Sequence, residues 1–485
     1  MSRQSRSITL ACTFMLVSTA LSVPATAHTA TPPRTPVPSL TGPLQSSGDS
    51  HPFNISTVPL DAYGYVEEEF LVSGRANVYD YDAAGKVTVV RTAVPYTNRI
   101  IVRRPADRRA FSGTVVADIM NMTNGWDLDR MWLTSHDEYL RRGDAYVGIT
   151  SAPNAVASLK KFDPSRYGSL SWPDQRGCTG RALNSAADSE GGLVWDILSQ
   201  TGAALKSHGR DNPLRGLKVD KVYATGYSQS GAYLTRYINA VHPLARVYDG
   251  FLVAASASGV KPLNKCGPTP ADHDLIRPTA EPVIKMQTQT DFFMDRGASR
   301  RDDSDQPDDK YRLYEVPGSA HAYAYTSGFA PSPEDLARIG VTYNYYNCDG
   351  VGTTFPMHYL YNAAHMNLDR WARNRATPPR APRIQVDAGG QTVLDEHGNA
   401  VGGVRTPWVD APTATYHPAS TGPNCFLFGH MTPFTPSKLR QLYTDHGVYA
   451  RAVAGQVYKL VKEGWLTRED GAASVNEAAG ASVPR

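Results

Sequence analysis

The sequence predicts an α/β protein built on a mostly parallel central sheet with helices on both faces. Three observations carry this expectation. Apolar runs of strand length recur along the chain, each is closed by a turn signal, and helical stretches separate them, which is the alternation that a parallel sheet buried on both sides requires. With 485 residues, 41% hydrophobic and 20% charged, the chain has enough apolar material for one large domain or two smaller ones, and disorder as its main state is excluded.

At the N-terminus, Arg3 and Arg6 precede an apolar run from Ile8 to Val23, and Ala25-Thr26-Ala27 follows as a small-residue cleavage site. The run is too short to span a bilayer comfortably, so residues 1–27 read as a secretory signal cut near Ala27. Cys12 lies inside the run, which argues against a lipid-anchored cysteine, and no stable membrane anchor is expected. Residues 28–50 are rich in Pro, Thr and Ser and read as an extended linker. The folded domain is expected over 51–475, with 476–485 a flexible tail.

The whole chain carries 49 basic and 46 acidic residues, a net charge of +3, and loss of Arg3 and Arg6 brings it nearer still to neutrality. That balance excludes a nucleic-acid partner and fits a neutral substrate better than a strongly charged one. Export also gives the cysteines meaning. Without Cys12, four remain: Cys178, Cys266, Cys348 and Cys425. They suggest two disulfides in one of three connectivities, and their wide spacing rules out a structural zinc site.

Six strands are expected, at 114–120, 145–150, 221–225, 250–254, 282–287 and 311–316. Helices are expected at 128–142, 185–207 and 231–242. Chemistry in such sheets gathers beyond the carboxyl ends of the strands. There the strand at 221–225 runs into Gly226-Tyr227-Ser228-Gln229-Ser230-Gly231 and then a helix. A G-x-S-x-G elbow needs small residues two before and two after its serine, because the sharp turn brings backbone too close for side chains. Ser230 stands where the strict pattern has glycine. Ser228 is the nucleophile this predicts. Its alternatives are a mere helix N-cap at Ser228, or Ser230 as nucleophile inside the first helical turn.

A serine hydroxyl needs an imidazole to take its proton, and the imidazole needs a carboxylate to hold its tautomer. In the chain order Ser, Asp, His, Asp291 follows the strand at 282–287, and His321 follows the strand at 311–316. Asp295 and Asp302 are rival acids. His365, in the helical stretch Met357 to Met366, is the rival histidine. An oxyanion hole takes the N–H after the nucleophile, Gln229, and one from the loop after the first predicted strand, Met122 or Thr123.

These features together resemble the alpha/beta hydrolase domain family of large secreted bacterial and fungal proteins. The elbow Gly226-Tyr227-Ser228-Gln229 also looks like that of cutinase-type serine esterases. The wider resemblance lies in Asn121-Met122-Thr123-Asn124-Gly125, Arg166-Tyr167-Gly168, Tyr227-Ser228-Gln229-Ser230-Gly231, Gly318-Ser319-Ala320-His321 and the stretch from Asp395 to Pro407. It covers roughly residues 55–475 and implies an α/β-hydrolase fold and ester hydrolysis. The expected activity is that of a secreted serine hydrolase acting on small-molecule or polymeric carboxylic esters through an acyl-enzyme, without a cofactor. An acyltransferase or peptidase with the same triad, or an inactive binding protein on the same scaffold, are the alternatives.

Three further features complete the reading. The tyrosines of 322–380 (Tyr323, Tyr325, Tyr343, Tyr345, Tyr346, Tyr359, Tyr361) form either an aromatic lid or packing between core and appendage. Asp302, Asp303, Asp305, Asp308 and Asp309 lack the Gly and Glu of an EF-hand loop and read as a solvated surface loop. Gly402-Gly403-Val404-Arg405 reads as a turn rather than a phosphate loop. No spacing suggests a catalytic metal.

Overall fold

In the computed structural model, the apolar runs become strands that are buried on both faces: β4 (Thr114–Ile119), β5 (Ala145–Ile149), β6 (Lys221–Tyr227), β7 (Gly250–Ala254), β8 (Val283–Thr288) and β10 (Asp309–Val316). The structure describes residues 35–174, 183, 186, 188–257, 259–267, 275–323, 331–342, 348–423 and 425–483. The expected signal at 1–27, Cys178, Tyr325, Tyr343, Tyr345 and Tyr346 lie outside them. All six predicted strands are present, and β5, β4, β6, β7, β8 and β10 are neighbours in parallel.

The sheet is wider than the sequence reading. Two long strands, β2 (Tyr65–Tyr81) and β3 (Val87–Pro105), pair antiparallel, and β3 joins the parallel core through β5. With β1 (Ser39–Thr41) at one edge and β9 (Ser304–Gln306) at the other, it has ten strands among the described residues, in the order β1-β2-β3-β5-β4-β6-β7-β8-β10-β9. Alternate strand residues serve opposite faces. Val222, Ala224, Phe251 and Val253 pack with helix α3 (Val194–Leu205), whereas Tyr223, Tyr227, Leu252 and Ala254 pack with helix α6 (Met357–Ala372).

Two boundaries differ from expectation, and one open alternative is resolved. Residues 39–41 of the expected linker form β1, because Leu40 is buried and the segment pairs with Leu71 to Ser73. The expected tail is not free from 476: helix α8 (Arg468–Gly480) runs to Gly480 with Ala478 buried against its neighbours. The segment expected as lid or packing contributes α6, whose Tyr361, Ala364 and Leu368 are core residues. Packing therefore describes 357–372.

A second, three-stranded sheet joins β11 (Val351–Gly352), β12 (Ala414–His417) and β13 (His430–Pro433). Gly402 and Gly403 both have positive φ, as the predicted turn requires. Among the described residues no helix is long and apolar enough to cross a membrane.

Candidate active site

Parallel register aligns the strand ends that matter. Ile119 lies opposite Gly226, Tyr227 opposite Ala254, and Thr288 opposite Val316. The segments bearing Met122, Ser228, Asp291 and His321 therefore leave the sheet at one edge.

Close backbone approach shapes the elbow. A Cβ at Gly226 would lie 2.5 Å from Ser230 O and 2.7 Å from Ser230 C, and one at Gly231 would lie 2.7 Å from Ser256 Cβ. Position 230 tolerates a side chain because its hydroxyl turns inward: Oγ accepts the Tyr227 N–H at 2.8 Å and donates to Tyr227 O at 3.0 Å. That explains the departure from the strict pattern. It also consumes the Ser230 hydroxyl, which is buried, so Ser230 is unsuited to be the nucleophile.

Ser228 sits at the turn between β6 and helix α4 (Gln229–Arg236) with φ 60° and ψ −120°. Such a backbone is unfavourable for a residue with a Cβ and persists only where surroundings enforce it. Here its N–H donates to Ala254 O at 2.9 Å, and its carbonyl accepts from Ala232 N–H at 3.1 Å. The Ser228 side chain makes no cap hydrogen bond to α4. The hydroxyl is thus not spent as an N-cap.

Asp291 lies in the first turn of a short helix, α5 (Gln289–Asp295), rather than in an open loop. One carboxylate oxygen, Oδ2, closes a capping box by accepting from Thr288 N–H at 2.9 Å and Thr288 Oγ1 at 2.6 Å. The other, Oδ1, faces His321 Nδ1 at 2.7 Å, and both residues are buried. Capping and pairing are one arrangement, since the cap fixes the carboxylate that fixes the imidazole. With the proton on Nδ1, Nε2 is the nitrogen left to accept. The His321 N–H donates to Thr290 Oγ1 at 3.1 Å, and its carbonyl accepts from Tyr227 OH at 2.6 Å. Tyr227, next to Ser228, thereby ties the elbow to the histidine.

The rivals are placed elsewhere. Asp295 accepts from Gln287 and Ser299, and Asp302 is exposed. His365 Nε2 lies 2.7 Å from Asp144, which precedes β5 at the opposite edge of the sheet. The acidic loop is paired with arginines: Asp303 with Arg383, Asp305 with Arg312 and Arg380, Asp309 with Arg301.

The loop after β4 is closed by reciprocal backbone hydrogen bonds between Asn121 and Leu128. Within it, Thr123 N–H is taken by Asn121 Oδ1 at 2.9 Å. Met122 N–H meets the side-chain oxygen of Gln229 at 3.3 Å, beside the elbow that carries Ser228.

Composition gave no hint of what holds this loop. Asp127 accepts from Thr150 Oγ1 at 2.5 Å and lies 3.4 Å from Arg99, and Asp129 pairs with Arg103. Burial pushes the Asp127 carboxyl up to about 6, with Arg99 opposing. Arg99 also bonds Glu69 at 2.6 Å, and Glu69 accepts from Arg166 at 2.5 Å and Tyr167 OH at 2.7 Å. The Arg166-Tyr167 pair quoted in the family resemblance is therefore a remote buttress of the loop bearing Met122.

A disulfide links Cys348 and Cys425, and Cys266 is also disulfide-bonded. Two residues past Cys425, Leu427 O accepts the N–H of Ala322 at 2.9 Å, and Thr290 Oγ1 donates to Pro418 O. The segment around this disulfide thus clasps both sides of the Asp291–His321 pair.

Fold and site together define an α/β hydrolase. The chain belongs to the alpha/beta hydrolase domain family, whose model matches residues 40–476. A search of curated proteins finds no match. Similar solved structures include XC6422 from Xanthomonas campestris, described as an α/β serine hydrolase without a lid (11% identity over 55% of this chain and 94% of that one, TM-score 0.28). Others are an esterase of the fungus Rhizomucor miehei (9% identity, 57% and 81% covered, TM-score 0.30) and a CE15 glucuronoyl esterase from Teredinibacter turnerae (10%, 53% and 63%, 0.27).

Proposed function

We propose that this α/β hydrolase is a serine hydrolase that cleaves carboxylic esters through a covalent acyl-enzyme. The observation that carries the reading is the Asp291–His321 pair at 2.7 Å, at the same sheet edge as a serine held at φ 60°. His321 Nε2 accepts the Ser228 proton while Ser228 Oγ bonds to the ester carbonyl carbon. Asp291 keeps the proton on Nδ1 and stabilises the imidazolium. The oxyanion is met by the N–H groups of Gln229 and Met122. Collapse of the tetrahedral adduct breaks the C–O bond, and His321 returns the proton to the departing alcohol. Water then repeats the sequence, releasing the acid and regenerating Ser228.

Gln229 has two parts in this scheme. Its main-chain N–H is an oxyanion donor, while its side-chain oxygen holds the other donor, Met122 N–H, at 3.3 Å. A substrate carbonyl must displace that carboxamide.

A fluorophosphonate probe tests the proposal. The mature protein should be labelled and Ser228→Ala should not. Absence of labelling, or equal labelling of the variant, overturns it. Export is part of the same reading, supported by the N-terminal pattern and the disulfide bonding of Cys348, Cys425 and Cys266. Protein recovered from culture medium should begin at His28, and retention of the uncut chain in cells would refute export.

A further inference from the structure

Arg130 is the first residue of helix α1 (Arg130–Arg142), two residues beyond the loop that carries Met122. Its guanidinium lies over the Tyr227 ring, 4.6 Å from the centroid. Tyr227 immediately precedes Ser228, and its hydroxyl holds the His321 carbonyl at 2.6 Å. The cation thus stands beside the supports of two of the three residues proposed to act on the ester. Burial pushes the Tyr227 hydroxyl up, and Arg130 is the largest opposing influence. Tyr361, whose ring is 5.7 Å from that of Tyr227, buries its hydroxyl beside it.

The surrounding carboxylates are committed elsewhere. Asp129 pairs with Arg103, Asp127 with Arg99 and Thr150, and Asp291 with His321 and Thr288. Among the described residues Arg130 has no carboxylate within ion-pair distance, in contrast to the buried Arg99, Arg103 and Arg166. It is only half-buried. Its face is against the Tyr227 ring and it also bonds the Tyr227 hydroxyl, which leaves its remaining donors for a ligand.

We propose that Arg130 is a specificity residue of this site and binds a carboxylate carried by the substrate, so that the preferred substrates are carboxylate-bearing esters such as hemiesters of dicarboxylic acids. The inference rests on the serine-hydrolase reading above. It is compatible with the nearly neutral chain, because a forked, charge-assisted contact to one carboxylate acts at hydrogen-bond range, whereas net charge governs long-range steering.

Wild type, Arg130→Gln and Arg130→Lys are assayed on two matched pairs of esters. One pair, p-nitrophenyl hemiglutarate and p-nitrophenyl pentanoate, places the carboxylate on the acyl side. The other, 4-acetoxybenzoate and methyl 4-acetoxybenzoate, places it on the alcohol side. In wild type the charged member of at least one pair should have the higher kcat/KM by about tenfold or more. That ratio should collapse towards one in Arg130→Gln, mainly through KM, and be partly kept in Arg130→Lys. A purely structural role beneath Tyr227 would depress both members of a pair together and leave the ratio unchanged, which overturns the inference.

A variant-free measurement guards against misfolding. Glutarate should inhibit wild-type hydrolysis of the neutral ester competitively, more weakly at high salt, and glutaramide should not. Equal inhibition by the two overturns the inference. Loss of fluorophosphonate labelling would overturn the parent reading and this one with it. A labelled enzyme without preference for charged esters overturns this inference alone.

Discussion

Replacing Gly226 by alanine probes the elbow at its tightest point. The added Cβ would lie 2.5 Å from Ser230 O, 2.7 Å from Ser230 C and 3.1 Å from Gly231 N, all backbone atoms with no rotamer to yield. Ordinary contact begins near 3.4 Å, so the first clash alone asks for roughly 0.9 Å of backbone movement in the turn that presents Ser228. A displacement of about 1 Å at a reacting group costs on the order of 100-fold in rate, and overpacking costs about 1–3 kcal/mol of stability. Gly226→Ala should therefore lower kcat for p-nitrophenyl acetate about 100-fold, lower the rate of fluorophosphonate labelling in parallel, and reduce Tm. Gly455→Ala is the control, since nothing lies within 4 Å of a Cβ there and helix α7 (His446–Glu463) should gain up to about 1 kcal/mol. A Gly226→Ala enzyme that kept a third or more of its activity would refute the claim that backbone contact sets the elbow.

Four further outcomes are expected. Ser230→Ala leaves the buried Tyr227 N–H without an acceptor, so chemical denaturation should show a loss of about 1–3 kcal/mol, while Ser228 remains the labelled residue. Gln229→Ala frees Met122 N–H from a neutral hydrogen bond of about 0.5–1.5 kcal/mol, and steady-state kinetics should show kcat/KM rising about two- to tenfold; a fall would mean that the carboxamide supports the loop instead. Asp127 is raised from 3.8 to about 6 in the native chain, so the native state keeps this proton between those values and the unfolded state releases it. Stability from this site is then full below about pH 4 and lost as pH rises through 6. Asp127→Asn should remove that slope, shifting the difference between the two stability–pH profiles by roughly 3 kcal/mol across the window, and parallel profiles would refute it. Finally, the Cys348–Cys425 disulfide closes a separation of 77 residues; Cys425→Ser should cost about 2–5 kcal/mol and lower kcat, and an unchanged kcat would refute the coupling of this clasp to His321.

The parallel core was legible because strands buried on both faces must be apolar throughout, and β4, β5 and β7 read as such runs. The long β2–β3 hairpin was not. Its strands carry Glu67, Glu68, Glu69, Arg99, Arg103 and Arg104, charges that look like surface until the pairing of Glu67 with Arg103, Glu69 with Arg99 and Glu68 with Arg104 is seen. The edge strand β1 was hidden in the same way. Proline-rich composition describes a free chain, whereas Leu40 is ordered by a partner strand distant in sequence.

Residue types and chain order singled out Ser228, Asp291 and His321, because the chemistry demands those groups beyond the carboxyl ends of strands in that order and the backbone of a tight turn demands glycine. Residue order cannot specify which carboxylate oxygen meets which donor, or which arginine has no carboxylate partner among the described residues. Asp291 caps α5 and holds His321 at once, Asp127 anchors the Met122 loop through Arg99, and Asp129 turns to Arg103 rather than to Arg130. Those outcomes depend on contacts between segments tens of residues apart, where burial and competition among partners decide the result. The sequence determined the machinery proposed for ester cleavage; the tertiary structure decided how that machinery is braced and which arginine beside it has no carboxylate partner among the described residues.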